Sequence, residues 1–338
     1  IRGLIPALAL ARLEAEPAAR EPGATLARKF GLIAGTSTGG LIALGLGMPG
    51  ADGTEPAIAP AAMVAIYEGP EARAIFDRPP LEDVPGVGAV SALIDPRYDL
   101  DNLRATLERR LGERTLSESL TGLLIPAYDM HRRIPRFFKP WNEEAGRLRA
   151  VDAGLATAAA PTYFPALRLG EEALVDGGVF VNNPTVAATI EALKRTGGEP
   201  LRPDDLLVVS IGTGQHERGF DADEVAGWGA LGWIAPRERS EPPLIGAMLD
   251  GQSDASDHWA HILLNHVPGT EVARGPAMGA GPRYFRWQIE LPGPVPLDGT
   301  EPGQIASLRE AGEALVAGRE AEIGAVADAL TGMDGDQG

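Results

Sequence analysis

A glycine-dense junction between two apolar runs sets the first limit on the fold. Phe30 to Ala34 is a short apolar run, Gly35-Thr-Ser-Thr-Gly-Gly40 follows, and Leu41 to Leu46 resumes an apolar pattern with helical spacing. This order predicts a strand, a tight turn and a helix. The same alternation continues downstream. Leu100 to Leu111 places Leu100, Leu103, Leu107 and Leu111 on one helical face and stops at Gly112, and Leu123 to Tyr128 is strand-sized. Ala153 to Ala160 is a small-residue helix stopped by Pro161, Ala173 to Val175 a strand stub, Thr185 to Lys194 a helix, and Leu206 to Ile211 an apolar run of the buried parallel kind. Strands alternating with helices predict an α/β fold with a doubly wound, mostly parallel sheet between two helical layers.

The flanks are read more coarsely. Leu4 to Glu16 is helical, Met48 to Pro60 loop-like, and Ala61 to Phe76 helical with a break at Gly69-Pro70. Residues 215–240, with Trp228 and Trp233 among glycines, read as an excursion that could cover a pocket. Leu244 to Leu264 and Gln304 to Leu330 read as helices. With no internal repeat and no long linker, residues 1–331 are expected to form a single domain and 332–338 a polar tail.

Composition narrows the partners. The formal net charge is −17, and the only lysines are Lys29, Lys139 and Lys194, which argues against nucleic acid. Anionic lipid head groups would be repelled as well, so a transient membrane or micelle contact is expected to rest on an apolar rim or a local Arg cluster. No apolar run approaches the roughly 18 residues of a membrane span. There are no cysteines, hence neither disulfides nor thiolate chemistry, and the compartment stays open between cytoplasm, which is favoured, and export. No signal-peptide pattern or initiator Met stands at Ile1, so the numbered chain is expected to begin inside a longer protein. No His, Asp or Glu cluster suggests a metal, and no cofactor is expected. A two-fold homodimer is admitted on base rates alone.

The Gly35-x-Ser37-x-Gly39 spacing at a strand-to-helix turn is that of a nucleophile elbow, with the following helix N-terminus favouring developing negative charge. The competing reading is a packing or phosphate-cradling turn, although the Lys of a nucleotide loop is absent. A triad would need a histidine, and His131, His216, His258, His261 and His266 each read better as surface or packing residues. Asp176-Gly177-Gly178, directly after a short strand, would place a carboxylate at the same sheet edge as Ser37, but an Asp turn bonding its own backbone fits equally well.

Four blocks in order, Gly35-Thr-Ser-Thr-Gly-Gly40, Ala158-Ala-Ala-Pro-Thr-Tyr-Phe-Pro165, Asp176-Gly-Gly178 and Asn182-Asn-Pro184, resemble the signatures of patatin-like phospholipases, and Arg2-Gly3 and Ile211-Gly-Thr-Gly214 match as well. The resemblance implies a three-layer α/β/α fold and a Ser-Asp dyad without histidine, with Ser37 as nucleophile and Asp176 as base. It further implies an oxyanion loop, Asp-Gly-Gly-Gly-x-Arg-Gly, of which Arg2 and Gly3 would be the tail; without the glycines of that loop, Thr38 N–H would offer one donor and activity would be severely impaired. The implied activity is hydrolysis of phospholipid, lysophospholipid or related acyl esters. Two other readings stay open: a His-dependent α/β-hydrolase esterase, and a catalytically silent lipid-binding or effector protein.

Overall fold

The computed structural model describes residues 1–21, 23–77, 96–194, 201–216, 219–235, 242–265 and 283–332. Its strands are β1 (Leu32–Ala34), β2 (Gly122–Asp129), β3 (Ile134–Phe138), β4 (Leu167–Leu169), β5 (Glu172–Asp176), β6 (Val208–Ile211) and β7 (Tyr284–Trp287). β2 is the axis. It pairs parallel with β1 on one side, antiparallel with β5 on the other, and antiparallel with the β3 hairpin further along. β4 closes the edge antiparallel to β5, while β6 and β7 pair parallel. Among the described strands, β1–β2 and β6–β7 pair parallel, and an isolated parallel bridge joins Gln215 and Glu290.

Helices cover both faces, which gives the α/β/α layering. On one face the elbow helix (Thr38–Gly47), Asp101–Leu111 and Ala150–Ala158 bury Leu44, Leu107, Leu111 and Leu155 against Leu123 and Ile125 of β2. On the other, Leu4–Arg20 packs with Pro302–Gly318 and Glu320–Gly332, and Leu4, Ile5, Leu13 and Leu308 meet Phe285 and Trp287 of β7. β2 is apolar almost throughout because both its faces are covered. Leu103, Leu107 and Leu111 are buried as their spacing requires, and Gly112 ends that helix at φ 59°, a conformation open to glycine.

Several boundaries differ from expectation. The segment 304–330 is two helices separated at Arg319. β3, β4 and β7 are short and do not alternate cleanly; β3 carries Pro135 at the sheet edge, where no ladder donor is needed. Of the 215–240 excursion, the described part contains two short helices, Ala222–Ala226 and Ala230–Ile234. His266 and the tail from 333 onward lie outside the described residues.

Candidate active site

β1 runs into the elbow. Gly35 N–H donates to the Leu124 carbonyl at 3.2 Å, prolonging the β1–β2 pairing by one residue. Ser37 then adopts φ 56° and ψ −125°, and Thr38 begins the helix. Few residues with a Cβ occupy this region, and holding one there costs about 1–3 kcal/mol. The surroundings enforce it. A Cβ on Gly35 would overlap the Gly39 carbonyl, and one on Gly40 would stand 2.6 Å from Thr157 Cγ2. Gly39, by contrast, has open space where its Cβ would be, so this motif glycine is not sterically required.

Two polar residues that the sequence pattern does not single out hold the turn. Thr157 Oγ1 accepts from Ser37 N–H at 3.0 Å, and the Thr38 and Tyr67 hydroxyls are 2.6 Å apart. The Tyr67 phenol is buried, which pushes its pKa up to about 12 against the smaller lowering effect of Thr38. Thr36 Oγ1 donates to the Val181 carbonyl at 2.7 Å, tying the elbow to the segment after Asp176. Gly3 packs directly on this cluster; a Cβ there would overlap Tyr67 Oη and Thr38 Oγ1. Arg2 lines the same cavity as Ser37. Thr38 N–H stands in the first turn of the elbow helix, where no helical acceptor exists.

Asp176 arrives differently from expectation. β5 runs antiparallel to β2, so Asp176 pairs with Ala127 and comes from the opposite direction to β1, whose end pairs with Leu124. The two residues meet beside the middle of β2 rather than at one shared carboxyl edge. Asp176 N–H donates to the Ala159 carbonyl at 2.9 Å, which gives the 158–165 block a structural purpose. A Cβ on Gly177 would lie 2.6 Å from the Pro126 carbonyl, so only glycine lets the chain pass β2 here. Gly178 N–H donates to Asp176 Oδ1 at 2.7 Å. Asp176 is 5% exposed. Burial pushes its carboxyl up to about 6, with the hydrogen bonds from the Ser37 side chain and Gly178 N–H pulling the other way. Asn183 Oδ1 caps the next helix, accepting from Thr185 N–H at 3.1 Å.

Ser37 and Asp176 open into one cavity of about 1350 Å³, walled by Ile33, Leu41, Leu107, Tyr163, Phe164 and Leu249. That exceeds the ~300–1,000 Å³ of ordinary small-molecule sites and suits a long apolar ligand. Among the described residues no histidine hydrogen-bonds to Ser37 or Asp176. His131 and His258 are exposed, and His216 lines the cavity with Nδ1 3.4 Å from the Leu291 carbonyl. Also among them, no group of three or more His, Cys, Asp or Glu is placed to hold a metal.

Comparison with known proteins gives the family of the chain. Patatin-like protein 2 of Arabidopsis thaliana is 35% identical over 280 residues, covering 76% of this chain and 68% of the relative. Patatin-like protein 1 of Oryza sativa subsp. indica is 34% identical over 294 residues, covering 79% and 69%. A Solanum tuberosum relative, described as probable inactive patatin-3-Kuras 1, is 29% identical over 262 residues, covering 70% of this chain and 66% of its own. The family model for patatin-like phospholipases matches residues 1–189, a span that contains Ser37, Asp176 and the elements that join them, and the chain belongs to that family.

Proposed function

We propose that the chain is a serine lipid acyl hydrolase in which Ser37 is the nucleophile and Asp176 its base, acting on acyl esters of phospholipids, lysophospholipids or related lipids. Family membership supports lipid acyl hydrolysis in general. It does not by itself make a chain active, since one relative is named as probably inactive. The observation that carries the reading is the pairing of a strained serine at φ 56° with a buried, hydrogen-bonded carboxylate inside a large apolar cavity.

Asp176 takes the Ser37 hydroxyl proton as Oγ attacks the ester carbonyl, and the carbonyl electron pair moves onto oxygen. N–H donors at the elbow, Thr38 among them, stabilise that oxyanion; losing one such donor typically costs about 100- to 1000-fold in rate. Collapse breaks the ester C–O bond, and Asp176 returns its proton to the leaving alcohol. A water that loses its proton to Asp176 then attacks the acyl-enzyme, the acyl C–Oγ bond breaks with Asp176 returning that proton to Ser37 Oγ, and a fatty acid leaves. The apolar walls do two things at once: they bind the acyl chain, and they exclude the water that would otherwise hold the carboxylate at its ordinary low pKa.

The test is hydrolysis of a short-chain p-nitrophenyl ester and of long-chain phospholipid and lysophospholipid by wild type, Ser37→Ala, Asp176→Asn and His258→Ala. Loss of turnover in the first two folded variants, by about 10⁴-fold or more, with His258→Ala unchanged, supports the dyad. A wild type inert on all three substrates overturns the hydrolase reading and leaves the silent lipid binder.

A further inference from the structure

The helix Pro243–Leu264 turns an apolar stripe outward. Ser256, Ala260 and Leu264 are buried, at the spacing of one helical face. Leu244, Met248, Trp259 and Ile262 lie on the opposite side, again at helical spacing, and all are exposed, Trp259 by 60%. About 27 Å of helix separates Leu244 from Ile262 at 1.5 Å per residue. The short helix Ala230–Ile234 packs beside this one and adds exposed Trp233, Ile234 and Leu231, the last 76% exposed. Phe220, also exposed, stacks edge-to-face on Trp228, which stacks in turn on Trp233. A contiguous outward array of this size on one side of a molecule is uncommon for a surface that stays in water.

We infer that this array is a docking surface for a zwitterionic lipid interface, seated so that a bilayer or micelle delivers substrate to the Ser37 cavity. The inference rests on the hydrolase reading for its purpose but not for its test. Two observations select the occupant. First, the array is continuous with the cavity mouth: Phe220, Ile245 and Met248 line the cavity that holds Ser37 and Asp176, while Leu244, Leu231 and Trp259 extend the same surface outward. A lipid leaving the interface along this path keeps its acyl chain against apolar side chains throughout. Second, the charge on these elements fits a surface without net charge. Neither Pro243–Leu264 nor Ala230–Ile234 contains Lys or Arg, whereas Asp250 and Asp254 are exposed beside the stripe and Asp223 and Glu224 lie on the helix before. Phosphatidylcholine head groups accept such a border; a negatively charged leaflet repels it. An outward stripe of Trp, Leu, Met and Ile is what an interfacial helix buries into the head-group region.

The experiment is vesicle flotation of the full chain carrying Ser37→Ala, so that vesicles stay intact and binding is read without catalysis. Phosphatidylcholine vesicles are compared with vesicles containing 30% phosphatidylglycerol in 20 mM and 150 mM salt. Expected is binding to the zwitterionic vesicles that the triple variant Leu231→Ser, Leu244→Ser, Trp259→Ser weakens at least about tenfold, none of the three lining the cavity. A control pair at exposed apolar positions elsewhere, Met130→Ser and Ile134→Ser, is expected to bind like the parent. In the otherwise wild-type chain, the triple variant should keep its rate on the soluble p-nitrophenyl ester while losing rate on vesicles. Undiminished binding by the triple variant, equal loss in the control pair, or binding restricted to anionic vesicles at low salt overturns the assignment. So does a parent that binds no vesicle but dissociates from dimer to monomer in the triple variant, which would assign the array to self-association.

Discussion

Replacing Asp176 with Asn is expected to abolish turnover and to stabilise the protein at neutral pH. Burial raises the Asp176 carboxyl from 3.8 to about 6. The folded state therefore holds this proton more tightly than the unfolded chain, and ionising the group at neutral pH works against folding. A difference of about 2 units corresponds to about 3 kcal/mol at pH 7 and above. Asn has nearly the same shape, retains an Oδ1 to accept the Gly178 N–H now at 2.7 Å, and carries no charge to desolvate. The charge assistance of that bond already enters the value of about 6, so the gain expected on removing the charge is about 3 kcal/mol. The gain belongs above pH 6, falls to roughly half by pH 5, and vanishes below the unfolded value, where the wild-type carboxyl is protonated in both states. Urea unfolding of both proteins at pH 7.5 and pH 5 measures it. An Asn variant less stable than wild type at pH 7.5, or a gain equal at both pH values, would refute the desolvation argument.

Four further outcomes are expected. Ser37→Gly and Ser37→Ala should both be inactive, with the Gly variant more stable by about 1 kcal/mol in denaturant titration because φ 56° costs glycine little. Gly35→Ala should lose at least about 2 kcal/mol and the elbow with it, whereas Gly39→Ala, with open space at its Cβ, should fold as well as wild type by circular dichroism and thermal melts. Thr157→Val leaves Ser37 N–H without its acceptor and should lower kcat about tenfold or more with a smaller change in KM, read from steady-state kinetics. In wild type, kcat/KM on a neutral ester should rise with an apparent pKa near 6 and level off above about pH 7, since the base must be ionised.

What the sequence could reveal was decided by locality. The elbow was legible because its cause is local: glycines at fixed offsets, an apolar run on each side, and no room for a Cβ at Gly35. The Asp101–Leu111 helix was legible from leucine spacing and a stop at Gly112. Asp176 was legible only as an ambiguous turn until the resemblance weighed in, because the direction of β5 depends on a strand 45 residues earlier or more, with Ala127 its partner at this position. Thr157 and Tyr67 were missed for the same reason; their bonds to the elbow span 120 and 29 residues, and each sits in a helix whose apolar neighbours mask it. The helix Pro243–Leu264 was anticipated nearly to its ends, but its outward stripe has the same periodicity as a core face. Periodicity locates a face; only the packed neighbours, here at Ser256, Ala260 and Leu264, show which face is covered.

Asp129 and Asp176 explain together how a carboxylate could serve as base without a histidine. Both are buried, 1% and 5% exposed, and both lie within the short antiparallel β2–β5 pairing. Their protons are held oppositely. Burial pushes Asp129 up, yet its carboxyl stays below the usual range because backbone N–H groups of Ala173, His131 and Arg132 and the Arg132 charge more than offset it. Asp176 has the Gly178 N–H and the Ser37 hydroxyl, and these do not offset burial. An aspartate surrounded by donors is stable as an anion and a poor base; one deprived of them gains basicity at the expense of fold stability. At about 6, Asp176 approaches the unperturbed histidine value of roughly 6.5. On the dyad reading, then, desolvation supplies most of the basicity that an imidazole brings to a triad. No third residue is needed to orient a ring, because the Ala159 carbonyl holds the Asp176 backbone N–H and Gly178 N–H donates directly to the carboxylate Oδ1.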